Sequence, residues 1–319
     1  MERLVITDVA ARDGLQSQPV AVTTAAKVAL VESLFAAGVT SVEAASFVSP
    51  KAVPQMADAA AVVGALARSG ARGPGEGLRI SALVPNLRGL ERAIAAGVRE
   101  IAVVLAATET MNRRNINLSL AEATATCIAT LEAAQAAGLR TRAYLAVAWA
   151  CPFEGVPARE VVLALAERLA RAGAGEIVVA DTIGAAGPAE VRSLLEAVTA
   201  VVPATRVGVH FRDTRGLAIA NAYAALEAGV RRFDSSVGGI GGCPFAPGAA
   251  GNVATEDLVL LARQCGFDTG IDLAALVPIV AAAERLLGRP LGGRSIAWLR
   301  RQSPAPAVAG TATSKEQTS

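Results

Sequence analysis

Short apolar runs alternate with longer helical patterns along almost the whole chain. The runs fall at residues 4–9, 41–45, 79–84, 100–105, 142–147, 176–180, 206–210 and 232–236, and several are rich in Val and Ile. Continuous apolar runs of this length fit strands buried on both faces, as in a parallel sheet. Between them lie Ala- and Leu-rich stretches with helical character, among them 24–37, 121–137, 158–172 and 189–201, the last preceded by Pro188 at a natural first-turn position. A joint repeats: Ala37-Gly38-Val39, Ala96-Gly97-Val98, Ala137-Gly138-Leu139 and Ala228-Gly229-Val230, with Ala174-Gly175 as a variant. Glycine just past a helix accepts the left-handed backbone that turns the chain into the next strand. Eight such units predict an α/β fold, a (β/α)8 barrel with extra C-terminal helices at 252–265 and 273–287. An open doubly wound sheet is the rival architecture.

Residues 1–302 are expected to form one barrel domain, with the polar Pro/Gly/Thr/Ser-rich stretch 303–319 as a disordered tail. The Gly-rich segment 70–77 (GARGPGEG) reads as a flexible connection before the third strand. With 53% hydrophobic residues in 319, the chain has material for one large core. No run is long and apolar enough for a membrane span, and the opening shows no signal or transit peptide, so a cytoplasmic protein is expected. A net charge of +2 argues against broad attraction to nucleic acid. Cys127, Cys151, Cys243 and Cys265 are scattered without a CxxC pair and are expected to be reduced thiols. His210 is the single histidine, which excludes any mechanism that needs two from this chain.

In a barrel of this kind chemistry belongs at the carboxyl ends of the strands. Arg12 and Asp13 follow the first strand, Glu43 lies on the second, Asp181 follows the sixth, His210 ends the seventh, and Cys243 and Asn252 follow the eighth. Each has a plainer reading: a carboxylate after a strand is often a helix cap, and a lone cysteine is often packing. Eight loops converging on one pocket favour the functional reading of the set.

These residues sit in motifs. Arg12-Asp13-Gly14-Leu15-Gln16, Ser46-Phe47-Val48-Ser49-Pro50-Lys51 with Val53-Pro54-Gln55, and Asn115-Ile116-Asn117 come first. Cys151-Pro152-Phe153-Glu154-Gly155 and Asp181-Thr182-Ile183-Gly184 follow. The last are Ser236-Val237-Gly238-Gly239-Ile240-Gly241-Gly242-Cys243-Pro244 and Gly251-Asn252-Val253-Ala254-Thr255-Glu256-Asp257. In this order they resemble the hydroxymethylglutaryl-CoA lyase family, over most of the chain. The glycine–cysteine loop joined to GN-x-ATED is the specific part of that signature.

The resemblance implies a retro-Claisen cleavage of a 3-hydroxy-3-methylglutaryl thioester to acetoacetate and acetyl-CoA, and a place in leucine degradation. It also implies a divalent metal, Mg2+ or Mn2+, on Asp13, His210 and Asn252. Arg12 matches the cation that stabilises the enolate, Glu43 a further active-site acid, Asp181 a motif carboxylate near substrate and metal, and Cys243 the loop thiol that protonates the enolate. A homodimer is the implied assembly. CoA contacts are expected from Lys51, Arg113, Arg114 and Asn115, against the reading of these charges as solvated surface. The Gly238–Gly242 run lacks the Lys-Ser/Thr ending of a phosphate loop.

One position departs from the pattern. The family carries His-x-His at the end of the seventh strand, and here the second position is Arg212. Guanidinium has donors and no lone pair for a metal. A unit charge about 4 Å from a divalent ion costs roughly 8 kcal/mol at an effective dielectric near 20. Three readings follow. The metal still binds, more weakly, through Asp13, His210 and Asn252; or Arg212 replaces it, pairing with Asp13 or substrate oxygens, with low or shifted activity toward another 3-hydroxyacyl-CoA; or the barrel binds an acyl-CoA or a partner without catalysis.

Overall fold

A computed structural model describes residues 1–69, 78–242 and 251–302. The 70–77 connection, Cys243 and the expected tail 303–319 lie outside the described residues. Eight parallel strands close in sequence order into a barrel: β1 (Val5–Asp8), β2 (Ser41–Ser46), β3 (Arg79–Leu83), β4 (Glu100–Ala106), β5 (Arg140–Ala146), β6 (Glu176–Asp181), β7 (Val207–Phe211) and β8 (Arg232–Ser235), with β8 pairing β1. Closure removes the open-sheet rival and leaves no unpaired edge.

The helices are α1 (Thr24–Ala36), α2 (Ala59–Arg68), α3 (Leu87–Ala95), α4 (Glu109–Ile116), α5 (Leu120–Ala136), α6 (Arg159–Arg171), α7 (Pro188–Val201), α8 (Ala218–Glu227), α9 (Thr255–Gln264), α10 (Leu273–Leu287) and α11 (Ile296–Gln302). No helix among the described residues is long and apolar enough to cross a membrane. Pro188 opens α7, as its fixed φ allows. Gly38, Gly97, Gly138 and Gly229 all take positive φ at the predicted joints. The variant joint is corrected: Gly173, φ 96°, ends α6, and Gly175 is not in the left-handed region. Two glycines flank Ala174, and the one nearer the helix takes the cap. The helix expected from residue 252 starts instead at Thr255, because Asn252 and Ala254 are held in β-bridges to Arg212 and Ser236.

The strands bury two different faces. Outward residues such as Ile101, Val103, Leu145, Ile177 and Val179 join the large core under the helices. Inside the barrel only a small apolar group, Ala102, Tyr144 and Val178, is separate from that core. Polar groups fill much of the remaining interior, where branched aliphatic side chains usually dominate. Arg142, 1% exposed, donates from Nη2 to Glu176 Oε1 at 2.9 Å and to Asp234 Oδ1 at 2.6 Å, and Tyr144 Oη donates to Asp234 Oδ2 at 2.7 Å. Gly208 makes room for this layer: a Cβ there would lie 2.8 Å from Glu176 Oε1.

A cleft of about 580 Å3 opens at the amino-terminal end, lined by Arg79, Arg140, Thr141, Glu176 and Arg232 among others. Its arginines are committed to Glu100 and Glu176, which makes this end a structural ion-pair layer. The reactive groups lie at the other end.

Candidate active site

Arg12 and Asp13 sit in a five-residue π-helical turn, Ala10–Gly14, directly after β1. Such turns are rare and cluster at functional sites, because one extra residue per turn re-aims side chains. Asp8 fixes the start of the turn: Oδ1 accepts from Ala10 N at 2.8 Å, while Oδ2 accepts from Val237 N at 2.8 Å and Thr255 Oγ1 at 2.7 Å. Gly14 lies close against Ile240, so the turn packs onto the loop after β8. Burial pushes the Asp8 carboxyl up to about 6 despite these hydrogen bonds.

Glu43 projects from β2 beside a register shift between Glu43 and Ala45, a bulge that redirects the strand near the site. It is fully buried, and its Oε2 accepts from Arg12 Nε at 2.5 Å and also pairs with Arg12 Nη2. Arg12 Nη1 donates to Asp13 Oδ1 at 3.0 Å. The guanidinium is thus clamped between two carboxylates, with one hydrogen left on each terminal nitrogen. Burial alone would lower its pKa, but Glu43 and Asp13 hold it above the ordinary value. Burial raises the Glu43 carboxyl, with Arg12 and Arg142 opposing, and Glu43 Oε1 has no hydrogen-bond partner among the described residues.

Asp13 is the hub. Its Oδ1 also accepts from Gln16 Nε2 at 3.1 Å; its Oδ2 accepts from Arg212 Nη2 at 2.8 Å and Asn252 Nδ2 at 2.9 Å. Burial would raise its pKa, but Arg212, Arg12 and His210 together hold the carboxyl far below the usual range. Asn252 also donates to Ile240 O at 3.1 Å, and its Oδ1 is buried without a partner among the described residues. A Cβ on Gly251 would come within 1.8 Å of Gly239 O, so only glycine lets this segment lie against the β8 loop.

His210 lies on β7 opposite Asp234 of β8, and its Nδ1 is 3.2 Å from Asp234 Oδ2. That contact leaves Nε2 as the ring nitrogen for a ligand. Asp234 is drawn down to about 2: burial opposes ionisation, and Arg142 with His210 outweighs it. Asp181 does not join the cluster. Its two oxygens accept from Ala185 N at 2.9 Å and Ala186 N at 3.0 Å, so it shapes the loop after β6, and burial raises its carboxyl.

The expected CoA contacts follow strands on the same rim. Lys51, exposed, follows β2; Arg113, Arg114 and Asn115 lie on α4 after β4, also exposed. Arg113 pairs with Glu109 at 2.6 Å, and Arg114 stacks over the Phe153 ring at 4.5 Å.

Structure therefore brings Arg12, Asp13, Glu43, His210, Arg212 and Asn252 together, and leaves Asp181 at the margin. Sequence reasoning missed Asp8, Arg142, Tyr144, Glu176 and Asp234. Asp234 carried a signal: it stands in the eighth apolar run, where a carboxylate needs a partner.

The three expected metal ligands converge, but not as a ligand set. Every Asp13 oxygen is taken by donors, two of them guanidinium groups, Arg12 and Arg212. What remains, an amide oxygen and one imidazole nitrogen, includes no free carboxylate for a hard divalent ion, and the Arg212 guanidinium on Asp13 repels one. Among the described residues no cluster of His, Cys, Asp and Glu could hold a metal ion. The residues as arranged do not fit the metal.

A parallel barrel with a clamped cation and a buried carboxylate hub at its mouth has the charge arrangement that can stabilise a developing anion. The HMGL-like family model matches residues 3–282. A hydroxymethylglutaryl-CoA lyase of Bacillus subtilis is 41% identical over 295 residues, 92% of this chain and 97% of that protein. An (R)-citramalyl-CoA lyase of Chloroflexus aurantiacus is 44% identical, covering 91% of this chain and 93% of that one. The structure of an Acinetobacter baumannii HMG-CoA lyase in complex with coenzyme A and 3-methylmalate superposes with a TM-score of 0.86 at 35% identity, over 99% of this chain and 98% of that one. The chain belongs to the HMGL-like family and is an enzyme of the hydroxymethylglutaryl-CoA lyase kind. The divalent metal that the sequence resemblance implies is therefore where this chain departs from expectation, at Arg212.

Proposed function

We propose that the protein cleaves 3-hydroxy-3-methylglutaryl-CoA into acetoacetate and acetyl-CoA. The observation that carries this reading is the clamped guanidinium of Arg12, held by Glu43 and Asp13 with a hydrogen left on each terminal nitrogen. Breaking the bond between C2 and C3 leaves negative charge on the thioester oxygen, and a fixed cation already oriented there needs no reorganisation as that charge develops. His210 Nε2 takes the proton of the 3-hydroxyl, with the ring oriented through Nδ1 by Asp234. Cys243 delivers a proton to C2, a role the family resemblance supports. Lys51, Arg113, Arg114 and Asn115 meet the CoA phosphates and pantetheine. Asp181 acts as a positioning residue through its loop.

A second reading is favoured by the Chloroflexus relative. Citramalyl-CoA is also a thioester with a tertiary 3-hydroxyl, and the same bonds break. Its carboxylate sits directly on C3, one methylene closer than in hydroxymethylglutaryl-CoA.

Acetyl-CoA release from both esters decides between them. The expected preference for hydroxymethylglutaryl-CoA in kcat/KM is about tenfold or more, the worth of one methylene in a fitted pocket. The reverse preference moves the assignment to citramalyl-CoA. Cys243→Ser is expected to keep CoA-ester binding and lose most turnover; unchanged turnover removes the thiol from the mechanism.

A further inference from the structure

Arg212 is buried, with 7% exposure, and each terminal nitrogen is fixed: Nη2 on Asp13 Oδ2 at 2.8 Å and Nη1 on Gly242 O at 2.6 Å. Two buried atoms here are unexplained by folding alone, one on Arg212 and one on Asn252. Arg212 Nε is buried with no acceptor among the described residues, and the neighbouring Asn252 Oδ1 is buried with no donor. Arg212 and Asn252 face each other across an isolated antiparallel bridge. An orphaned donor and an orphaned acceptor on adjacent segments are costly to leave dry. A hydroxyl group, which accepts and donates at once, satisfies both.

We propose that Arg212 is a built-in cation that takes the place of a divalent metal, receiving the 3-hydroxyl oxygen of the acyl-CoA substrate. The proposal rests on the lyase reading and deepens it. As the reaction proceeds, the hydroxyl turns its one proton from Asn252 Oδ1 to His210 Nε2, which takes it, and the oxygen lone pair forms the C3 carbonyl. The bond between C2 and C3 breaks, and its electron pair enters the thioester enolate facing Arg12. One proton then returns to C2 from the acid. One proton leaves and one arrives, and nothing is oxidised or reduced. Arg212 supplies fixed positive charge and directed N–H donors to the oxygen that loses its proton. Its Nη1 donates to the carbonyl oxygen of Gly242, the residue that precedes Cys243 in the chain.

The chain is therefore expected to work without metal. The test uses the full-length protein and Mn2+ as probe, with free Mn2+ read by electron paramagnetic resonance. Wild type is expected to bind no Mn2+ at Asp13, and Arg212→His to bind one equivalent at least about tenfold more tightly than any wild-type site. One equivalent on wild type that Asp13→Asn abolishes overturns the proposal, whether or not the histidine variant folds. Arg212→His binding no more tightly than wild type also overturns it. Acetyl-CoA release by wild type is expected to change less than about twofold in excess EDTA, whereas a loss of about tenfold that Mn2+ restores refutes metal independence. Arg212→Gln, which removes the charge, is expected to lose about tenfold or more in kcat; an unchanged kcat is equally fatal. A wild type that cleaves no acyl-CoA ester, with metal or without, refutes the lyase reading instead, and the Mn2+ titration still decides what Arg212 replaces.

Discussion

Replacing Arg142 by methionine strands two carboxylates inside the barrel. Arg142 gives hydrogen bonds to Glu176 and Asp234 and to the oxygen of Tyr144, at 3.3 Å, and all four groups are buried. Methionine keeps most of the apolar volume and removes the charge. Glu176 retains Arg232 Nη1 at 3.3 Å, and Asp234 retains Tyr144 and His210. Removing one partner of a buried pair costs about 3–5 kcal/mol, because a charge stays behind without compensation. An independent figure comes from Asp234 itself. Its carboxyl is lowered from 3.8 to about 2, which corresponds to roughly 2 kcal/mol of stability at neutral pH. Arg142 is the largest attraction behind that shift, so the two figures agree on scale.

The folded pKa is depressed, so this contribution is present above 3.8 and is lost as pH falls through about 2. At about 2 °C per kcal/mol for a chain of this size, Tm at neutral pH is expected to fall by roughly 6–10 °C. Thermal unfolding followed by circular dichroism reads it directly. A shift under about 2 °C would refute the claim that Arg142 neutralises this layer. Because Asp234 also orients His210, the variant is expected to lose kcat more than affinity for the CoA ester.

Three further outcomes follow from the geometry. Glu43→Gln leaves the Arg12 clamp with one charged jaw, so kcat is expected to fall by roughly 10²–10³ with little change in KM; an unchanged kcat removes Arg12 positioning from catalysis. Stability is expected to decline as pH rises from about 4 to about 7. Burial raises Glu256 from 4.5 to about 7 and Asp8 from 3.8 to about 6, so each contribution is full below the unfolded value and lost as pH rises through the folded one. The differences, about 2.5 and 2.2, correspond to roughly 3 kcal/mol each at about 1.36 kcal/mol per unit, and a urea-unfolding profile flat across that window contradicts this account. Replacing Lys51, Arg113 and Arg114 together by alanine is expected to raise KM for CoA esters by about tenfold at low salt and less at high salt; a salt-independent effect would remove their electrostatic role.

The apolar runs and the glycine joints determined the barrel almost by themselves. Eight buried parallel strands each need a continuous apolar stretch, and each helix-to-strand turn needs a residue free to take positive φ, as Gly38, Gly97, Gly138 and Gly229 do. Both demands are local, so both are written in the chain. The motifs marked Arg12, Asp13 and Asn252, and the strand positions marked Glu43 and His210, as neighbours at one rim. Tertiary structure alone decided how they are charged and joined. Arg212 meets Asp13 across 199 residues and Asn252 meets it across 239, so the sequence could offer their pairing only as one of three readings, and the fold alone selects it. The polar interior around Arg142 was hidden for the same reason. Inward parity on one strand is legible, but which charge neutralises which depends on the shear that sets Asp234 beside His210 and Arg142 across the closed barrel.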